Sequence, residues 1–440
     1  MAPVDHIIPY SFCQLLNYLS LIIAKYAPFH YKGEEMNPTL SRAIEQIKIG
    51  KMVILIDDES RENEGDFVMA AEMVTPSDVN FMIKNGRGLV CLSLTPERVS
   101  QLGLSLMAGP NQSKRNTAFT TSIEARDGVT TGISASDRAQ TVRCAVDPSK
   151  SANDIVSPGH VFPLIAKPNG VLERNGHTEG SVDLMKLAGL NPSAMICEIM
   201  NEDGSMARLP QLRKVAETHE IPIVSIQDII SYRSKSETLI DKVAQTVLPT
   251  DFGTFRLIAF RDRIDENEHL ALICGDLQNS PITRIHSECL TGDALGSRRC
   301  DCGDQLKESM KIIQENGSGI IIYLRGHEGR GIGLANKIRA YALQDTGLDT
   351  VEANHQLGFK ADLRDYTIAY QILKYFKIES IDLLTNNPGK ISALELFGIS
   401  INRRIPLLPI AHPENMRYLN AKASKLGHHI ANTDTQELEK

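Results

Sequence analysis

The sequence predicts two mixed α/β domains in tandem, an α/β (α+β) fold class, and three observations support this prediction. The chain has 440 residues, more than one hydrophobic core normally supports. Apolar, strand-like runs alternate with helical patterns along most of its length. A polar stretch, Ser231–Glu237, interrupts this alternation near the middle. We therefore predict one domain at residues 37–234 and a second at residues 235–440.

Residues 1–36 are predicted to be an N-terminal extension, either disordered or preceding the true start codon. Their apolar segment CQLLNYLSLIIAKYAPF is interrupted by Asn17, Lys25 and Pro28. Neither a basic leader nor a small-residue cleavage site accompanies it. We therefore expect neither a signal peptide nor a membrane span.

Within the two halves, the predicted elements follow from the period of the apolar residues. In the first half, strands are predicted at MVILIDD, GRGLVCLSL, AFTTSIEA, AMICEIM and IPIVSI, and helices at RAIEQIKIG, DRAQTVRCAV and GSVDLMKLAGL. Thr39 or Ser41 is expected to cap the first helix. In the second half, strands are predicted at FGTFRLIAFRD, HLALICGDL and PITRIHSECL, followed by alternating helices and strands from Gln305 onward.

Composition excludes some classes of partner. The formal net charge is −7, aromatic residues make up 5% of the chain, and Trp is absent. Nucleic-acid-binding proteins rely on basic surfaces and aromatic stacking, so we expect no nucleic-acid partner. Four of the eight cysteines, Cys91, Cys144, Cys197 and Cys274, lie apart from the others in sequence and are predicted to be buried thiols. Such thiols are typical of a reducing compartment, which predicts a soluble, cytoplasmic enzyme.

An acidic segment, DDESRENEGD, follows the first predicted strand. It carries six carboxylates from Asp57 to Asp66, with Arg61 as its only cation. Like charges at this spacing repel unless water, an arginine or a divalent metal screens them. Charge clustering alone favours a solvated acidic loop over a metal site.

Three further residues of the first half are candidates for proton transfer or binding. Glu198 lies within the apolar strand AMICEIM, where a buried carboxylate would need a partner or a function. An edge strand with Glu198 facing water is equally consistent with this pattern. His160 and His177 follow glycines in SPGHVFPL and RNGHTEG, where we expect turns that either present catalytic groups or simply redirect the chain.

Taken together, residues 37–234 resemble the 3,4-dihydroxy-2-butanone 4-phosphate synthase family. The resemblance rests on DDESRENEGD, TAFTTSIEARDGVTTGISASDRA, PGHVFPL and GHTEGSVDLMKLAG. It implies that D-ribulose 5-phosphate is enolised, dehydrated and rearranged with loss of formate, chemistry that needs a metal and several proton-transfer groups. Glu62 and His177 would bind Mg²⁺ or Mn²⁺, and His160 and Glu198 would transfer protons. The implied substrate contacts are Arg61, Glu62, Asp66, Arg174, Asn175, Gly176, His177, Thr178 and Glu198.

In the second half, Cys289, Cys300 and Cys302 lie within fourteen residues, in ECLTGDALGSRRCDCG. Cys300 and Cys302 are too close in sequence for an easy disulfide, and a redox pair more often has two residues between its cysteines. Three thiolates suit Zn²⁺. Spacing alone leaves two alternatives open: a structural zinc site completed by a distant His, and a catalytic site with one open position.

Two strand ends of this half carry candidate phosphate contacts. LRGHEGRGIGL follows the strand GIIIYL and contains Arg325 and Arg330, although it lacks the ending of a P-loop. Lys390 lies in LLTNNPGK, after another strand. With RIHSECLTGDALGSRRCDCG, NKIRAYALQD and VEANHQLGF, these segments resemble the GTP cyclohydrolase II family over residues 240–430.

This second resemblance implies that GTP loses formate from its imidazole ring and pyrophosphate from its phosphates. Cys289, Cys300 and Cys302 would bind Zn²⁺, which lowers the pKa of bound water to roughly 7. Asp362 would accept a proton and Arg364 would attack the α-phosphorus. A guanidinium is almost always protonated, so stabilising phosphate charge is the physically easier role for Arg364. The implied GTP contacts are Arg284, Ile285, His286, Ser287, Glu288, Gln305, Glu328, Gly329, Arg330, Thr350, Thr385 and Lys390, and Tyr341 would help to position the guanine ring.

The sequence thus predicts one enzyme with two active sites that catalyse both entry reactions of riboflavin synthesis. Its expected partners are two small-molecule substrates, and both resemblances imply homodimers. Two alternatives stay open: one half could lack activity, or the cysteines could be structural in a zinc-stabilised nucleotide-sensing or RNA-binding protein.

Overall fold

The computed structural model describes residues 36–427, apart from residues 60, 108, 110, 112–114, 361 and 363. Two compact units divide between Ser236 and Glu237. Each unit is built on a seven-stranded sheet with helices packed against it, which confirms the predicted fold class. The predicted N-terminal extension lies outside the described residues, except for Met36. None of the described helices combines the length and the apolar character that a membrane crossing requires.

The first unit has strands that are mostly antiparallel. Its strands are β1 (Val53–Ile56), β2 (Gly65–Ala70), β3 (Cys91–Leu94), β4 (Ile123–Ala125), β5 (Ile155–Ile165), β6 (Ala194–Glu198) and β7 (Ile223–Ser225). They lie in the order β4-β5-β3-β6-β2-β1-β7, with β3–β5 and β1–β7 as the parallel pairs. Its helices are α1 (Pro38–Lys48), α2 (Pro76–Phe81), α3 (Pro96–Gln101), α4 (Ala135–Val146), α5 (His177–Ala188), α6 (Leu209–His219) and α7 (Ile226–Ser236).

The core of this unit has two layers because its central strands are buried on both faces. In β2, Phe67 and Met69 pack into one apolar cluster, whereas Val68 and Ala70 pack into the other. A strand with both faces covered lacks the alternation of apolar and polar residues that marks a half-exposed strand. The sequence analysis missed β2 for this reason.

Three local expectations for the first unit are wrong. Asn37 caps α1 through its side chain, and Pro38 follows at the first helical position, so neither Thr39 nor Ser41 is the cap. The segment SPGHVFPL forms part of strand β5 rather than a turn. Cys144 was predicted to be buried but is half-buried, whereas Cys91 and Cys197 are buried as predicted. Cys274, in the second unit, was also predicted to be buried and is half-buried as well.

The second unit joins an antiparallel half-sheet to a parallel one. Its strands are β8 (Ile240–Thr250), β9 (Gly253–Asp262), β10 (Glu268–Cys274), β11 (Ile282–Ser287), β12 (Gly319–Leu324), β13 (Ser380–Leu384) and β14 (Ser400–Ile405). The order is β14-β13-β11-β12-β10-β9-β8, and β14, β13, β11 and β12 run parallel. Its helices are α8 (Leu290–Asp293), α9 (Cys302–Asn316), α10 (Leu334–Asp345), α11 (Thr350–Gln356), α12 (Thr367–Tyr375), α13 (Pro388–Leu396) and α14 (Met416–Leu426).

The parallel half of this sheet positions the candidate site. Strands β11, β12 and β13 are adjacent and end at the same edge of the sheet. In open α/β sheets, ligands bind beyond the carboxyl ends of the strands. The residues after these three strands, which include Glu288, Arg325 and Thr385, therefore meet at one edge.

Candidate active sites

Asp57 orders the acidic loop that follows β1. Its carboxylate is buried and accepts hydrogen bonds from the backbone N–H groups of Glu62, at 2.9 Å, and Glu64, at 2.8 Å. The Arg61 guanidinium also donates to it, at 3.0 Å. Asp66, at the other end of the segment, is buried as well. The interpretation of this segment as a freely solvated acidic loop is therefore wrong.

Asp57, Glu62 and His177 form a cluster of potential metal ligands, in which one atom from each lies within 4.8 Å of the others. His177 begins helix α5, and its Nδ1 lies 3.7 Å from Glu62 Oε2. The pKa of Glu62 is lowered to about 2, mainly by its interaction with His177. Arg61 adds to this lowering, whereas burial opposes it. Burial disfavours the charged form of His177, but Asp66 and Glu62 outweigh it and raise its pKa to about 9. Two carboxylates and an imidazole suit a hard divalent cation, whose binding displaces that proton.

Asp66 and His177 also leave polar atoms unused beside this cluster. Asp66 Oδ1 and His177 Nε2 are buried, lack hydrogen-bond partners among the described residues, and lie 4.0 Å apart. Burial raises the pKa of Asp66. A buried polar atom without a hydrogen-bond partner is costly. The space beside Asp66 Oδ1 and His177 Nε2 is therefore suited to the polar atoms of a ligand.

Glu198 stands at the end of β6, paired in register with Asp66 on β2. Strand β6 lies between β3 and β2 in the interior of the sheet, so the alternative of an edge strand is wrong. Glu198 is half-buried, and its Oε2 accepts a hydrogen bond from the backbone N–H of Leu89 at 2.9 Å. A Cβ atom at Gly88 would lie 2.6 Å from that oxygen, so a glycine is needed for this close approach. The carboxylate is therefore held in a fixed position next to Asp66.

His160 pairs with a carboxylate that the sequence analysis did not identify. Its Nδ1 hydrogen-bonds to Glu124 on the adjacent strand β4. Two glycines make room for the pair: a Cβ at Gly132 would lie 1.6 Å from Glu124 Oε1, and a Cβ at Gly159 would lie 2.1 Å from the backbone carbonyl carbon of Ile123. The His160 side chain is 44% exposed, so the pair is accessible from solvent.

Arginines flank the ligand cluster. Arg61 NH1 donates to Glu62 Oε2 at 2.5 Å, and Arg174 NH1 donates to the buried Glu179 Oε2 at 2.6 Å. Thr178 lies in the first turn of α5, where free backbone N–H groups attract anions. This side of the site therefore offers the donors that a phosphate group requires.

In the second unit, the thiols of Cys289, Cys300 and Cys302 converge within 4.8 Å of one another. The Sγ atoms of Cys289 and Cys300 lie 3.6 Å apart, well beyond a disulfide bond of about 2.05 Å. A Cβ at Gly292 would lie 2.9 Å from Cys300 Sγ and 3.1 Å from Cys289 Sγ, so a glycine lets the thiols gather. Within the described part of the chain, no fourth His, Cys, Asp or Glu joins this group. The donor set fits Zn²⁺ with one position left open.

His286 does not complete the thiol cluster, because it pairs with Asp293. The Nε2 atom of His286 lies 3.0 Å from Asp293 Oδ2, which also accepts hydrogen bonds from Tyr323 Oη, at 2.8 Å, and the backbone N–H of Cys289, at 3.0 Å. Asp293 therefore fixes the backbone that carries the first thiol. The sequence analysis gave Asp293 no role.

Lys337 lies buried next to the thiols. Its Nζ is 3.0 Å from Cys289 Sγ, 2.9 Å from Thr291 Oγ1 and 2.5 Å from Glu328 Oε1. Burial acts to lower the pKa of Lys337, but Cys289 and Glu328 outweigh it and raise the pKa. Three thiolates around one Zn²⁺ would carry an excess negative charge, which this ammonium group would balance.

The thiols open onto a pocket whose empty space, open solvent at its mouth included, is about 960 Å³. Among its described lining residues, seven are Lys or Arg and one, Glu288, is a carboxylate. The cationic residues are Arg284, Arg299, Arg330, Lys337, Arg364, Lys390 and Lys422. Arg284 Nε and Arg330 NH1 are buried and have no hydrogen-bond partner among the residues that the structure describes. The pocket is therefore suited to a polyanionic ligand.

Asp362 and Arg364 form a two-point ion pair at this pocket. Arg364 Nε donates to Asp362 Oδ1 at 2.9 Å, and NH2 donates to the other oxygen of the same carboxylate. Burial acts to lower the pKa of Arg364, but the pair with Asp362 outweighs it and raises the pKa. The guanidinium therefore stays protonated and is held as a fixed cation.

Comparison with known proteins agrees with this division into two sites. The 3,4-dihydroxy-2-butanone 4-phosphate synthase family matches residues 41–232, and the GTP cyclohydrolase II family matches residues 241–406. The riboflavin biosynthesis protein RibBA of Aquifex aeolicus is 53% identical over 394 residues, which cover 89% of this chain and 97% of that protein. The chain belongs to the bifunctional riboflavin biosynthesis family. We refer below to its first unit as the synthase unit and to its second as the cyclohydrolase unit.

Two further relatives of this bifunctional family member span most of its length. RibBA of Bacillus mycoides is 51% identical over 391 residues, covering 88% of this chain and 98% of that protein. Among solved structures, RibBX, a two-domain 3,4-dihydroxy-2-butanone 4-phosphate synthase from A. baumannii, is 37% identical with a TM-score of 0.63. That match covers 79% of this chain and 93% of the other.

The cyclohydrolase unit brings most of the predicted GTP contacts to one pocket. Those that line it are Arg284, His286, Ser287, Glu288, Gln305, Gly329, Arg330, Thr350, Thr385 and Lys390, and Tyr341 lines it too. The side chain of Ile285 packs into the core instead, and its carbonyl accepts a hydrogen bond from Lys390 Nζ at 2.6 Å. Glu328 lies beneath the pocket wall, where it pairs with Lys337.

The synthase unit brings together Glu62, Asp66, His177 and Glu198, whereas His160 contacts Glu124. Within the predicted segment Arg174–Thr178, Asn175 is exposed and Gly176 is buried as the residue before α5. Sequence reasoning missed Asp57 as a third potential ligand. The sequence did contain a signal for Asp57, because this residue directly follows a buried strand. However, it is one of six carboxylates in the segment, and their spacing did not show which of them would be ligands.

Proposed function

We propose that the chain catalyses two reactions at two separate sites. In the synthase unit, D-ribulose 5-phosphate gives L-3,4-dihydroxy-2-butanone 4-phosphate and formate. In the cyclohydrolase unit, GTP gives 2,5-diamino-6-(5-phosphoribosylamino)pyrimidin-4(3H)-one, formate and pyrophosphate. The observation that carries this proposal is that each unit holds its own cluster of metal ligands beside its own cationic groups.

In the synthase unit, we assign Glu62 and His177 as ligands of Mg²⁺ or Mn²⁺, with Asp57 beside them. When bound, such a cation stabilises the negative charge of an enediolate. Glu198 and His160 transfer protons, and Glu124 orients the His160 ring through Nδ1. The sugar phosphate contacts Arg61, Asp66, Arg174, Asn175, Gly176 and Thr178. The hydrogen bonds that hold Glu198 and Arg174 in place support these assignments.

In the cyclohydrolase unit, we assign Cys289, Cys300 and Cys302 as ligands of Zn²⁺. When bound, the ion supplies a hydrolytic reagent near neutral pH. We assign Arg364 to stabilise the charge that develops on the phosphates, because its two-point pair with Asp362 favours the protonated guanidinium, which is a poor nucleophile. Asp362 remains the proposed proton acceptor. The remaining lining residues bind and orient GTP.

The direct test measures formate release from each substrate separately, with and without a chelator. We expect the purified chain to release formate from ribulose 5-phosphate and from GTP, and to lose the first activity when divalent cations are removed. Formate from neither substrate in a folded, metal-supplied protein would contradict the proposal.

A second candidate is an enzyme in which only the synthase unit is active. This candidate is suggested by the solved structure of a two-domain 3,4-dihydroxy-2-butanone 4-phosphate synthase, because that protein matches most of both units of this chain. The converging thiols and the cationic pocket support an active cyclohydrolase unit here. Formate from ribulose 5-phosphate but not from GTP would favour this alternative.

We also propose that the chain forms homodimers and acts in the cytoplasm. The free thiols among the described residues are in keeping with a reducing compartment. Light scattering on the purified protein should give twice the mass of one chain. A monomeric mass at micromolar concentration would refute the dimer.

A further inference from the structure

Helix α14, Met416–Leu426, lies beyond the residues that match the GTP cyclohydrolase II family, which end at 406. Two of its side chains, Tyr418 and Lys422, nevertheless line the cationic pocket. The helix therefore contributes to a site whose other lining residues precede position 407.

Lys422 anchors this helix to the segment that carries the thiols. Its Nζ lies 2.5 Å from Asp301 Oδ1, and both side chains are buried, at 8% and 1% exposure. Its ammonium group also lies 4.5 Å from the centre of the Tyr418 ring. A buried ion pair is costly to break, so Asp301 and Lys422 hold each other in one arrangement.

A chain of hydrogen bonds leads from this pair into the pocket. The second carboxylate oxygen of Asp301 accepts from Gln305 Nε2 at 2.7 Å, and Gln305 Oε1 accepts from Arg284 NH2 at 2.8 Å. Arg284 NH1 donates to the carbonyl of Leu384 at 3.0 Å. The guanidinium is therefore fixed at two points, while its buried Nε has no partner in the described part of the chain.

A second anchor joins α14 to the start of helix α11. Lys425 pairs with Asp349, the N-cap of α11, and lies 2.9 Å from Glu352 Oε1. Thr350, which follows this cap, lines the pocket. Helix α14 is thus tied to two segments that carry proposed GTP contacts, one through Lys422 and one through Lys425.

We propose that α14 is a wall of the nucleotide site and that Lys422 is a positioning residue, which through Asp301 and Gln305 aims Arg284 at the phosphates of GTP. Lys422 lines the pocket, but its ammonium group is paired with Asp301, so we assign its effect to this chain rather than to direct contact. This inference rests on the proposed GTP reaction. It adds that residues beyond position 406, where the match to the GTP cyclohydrolase II family ends, determine how tightly the nucleotide binds.

The test compares full-length Lys422→Met, Lys422→Arg and Arg417→Met. Arg417 lies on the same helix and is exposed, so its replacement removes one positive charge without touching the hydrogen-bond chain. For each protein we would measure kcat and KM with GTP, the Kd for GTP by calorimetry, zinc content, and formate release from ribulose 5-phosphate.

We expect Lys422→Met to raise KM and Kd for GTP by on the order of tenfold, the loss expected for one charge-assisted hydrogen bond. Its kcat, zinc content and synthase activity should change less than twofold. Lys422→Arg should recover most of the affinity, and Arg417→Met should resemble the unaltered chain.

Three outcomes would overturn the inference. They are an unchanged Kd in Lys422→Met, an equal loss in Arg417→Met, and a general loss of zinc and folding in Lys422→Met that arginine does not restore. If the unaltered chain binds GTP without turning it over, the proposed reaction fails, yet the Kd comparison still decides the role of Lys422.

Discussion

The synthase unit gathers its proposed oxygen and nitrogen ligands from distant parts of the chain, whereas the cyclohydrolase unit gathers its three proposed sulfur ligands from one short segment. Glu62 and His177 are separated by 115 positions, while Cys289 and Cys302 are separated by 13. The first set depends on a complete sheet to bring α5 beside the β1–β2 loop. The second depends on local geometry, in which Gly292 lets the thiols meet.

This difference has a consequence for metal chemistry. Carboxylates and imidazole bind hard cations that exchange readily, whereas thiolates retain Zn²⁺ tightly. The same chain should therefore hold one labile and one persistent metal. The predictions below test this contrast and the independence of the two units.

The largest effect is expected from Glu198→Gln. Because this carboxylate is fixed beside Asp66 and is proposed to transfer protons, we expect turnover of ribulose 5-phosphate to fall by roughly 100- to 10,000-fold. GTP turnover should stay within twofold, since distant sites contribute independently. A folded variant that lost both activities would show that the units are coupled.

Cys300→Ser tests the other unit in the same way. Changing even the partners of metal ligands costs roughly 10- to 100-fold, so losing a ligand should cost GTP turnover at least about 100-fold. Cys274→Ser, which changes a half-buried thiol on β10, is the matched control and should keep normal zinc content. If Cys300→Ser instead unfolds the whole cyclohydrolase unit, the zinc site is structural rather than catalytic.

Dialysis against EDTA compares the two metals directly. We expect the synthase activity to fall at least about tenfold within the time in which GTP turnover falls less than about twofold, because thiolates release zinc slowly. Added Mg²⁺ or Mn²⁺ should restore the synthase activity. Parallel loss of both activities would contradict the assignment of different ligand chemistries.

Glu124→Gln should have a smaller effect within the synthase unit. The variant keeps the shape of the side chain but weakens its hold on His160, so we expect roughly a tenfold loss of synthase turnover. Asp127→Asn, an exposed neighbour, serves as the control and should leave the rate unchanged.

The smallest effect concerns Asp262, at the end of β9 in the cyclohydrolase unit. Burial, with the charge of Asp265 nearby, raises the pKa of Asp262 to about 6. The stability that this group contributes is therefore complete below its unfolded pKa and is lost as the pH rises through about 6. The shift is worth at most about 3 kcal/mol and, after solvent screening, on the order of 1 kcal/mol.

Asp262→Asn should therefore stabilise the cyclohydrolase unit at pH 8 more than at pH 5. Thermal unfolding of both proteins at the two pH values provides the measurement. An equal gain in stability at both pH values would mean that the ionisation of Asp262 does not cause the stabilisation.

The features that could be predicted from the sequence are those encoded locally. The three thiols and the strand that precedes Arg325 each lie in one short segment, so their spacing and apolar period were sufficient. Lys390 was expected on a loop but lies in the first turn of helix α13. Most residues proposed to act in the synthase reaction and in GTP binding came from family resemblance. Glu198, His160 and His177 were also candidates from their own segments, but neither periodicity nor charge would have selected the others.

The features that were missed depend on contacts between distant segments. Glu124 gains a role only because β4 pairs with β5 and places it beside His160, and that pairing spans residues far apart in sequence. The edge-strand alternative for Glu198 could be excluded only once β6 was seen between β3 and β2. Lys422 shows no pattern in its own segment, since its partner Asp301 lies 121 positions away.

Gly292 also gives a criterion for classifying related sequences. With a methyl group at this position 2.9 Å from Cys300 Sγ, a chain that keeps all three cysteines but replaces this glycine cannot draw the thiols together without distortion. A survey that counts cysteines alone would not detect this difference. Requiring the glycine as well would select chains in which the three thiols can converge as they do here.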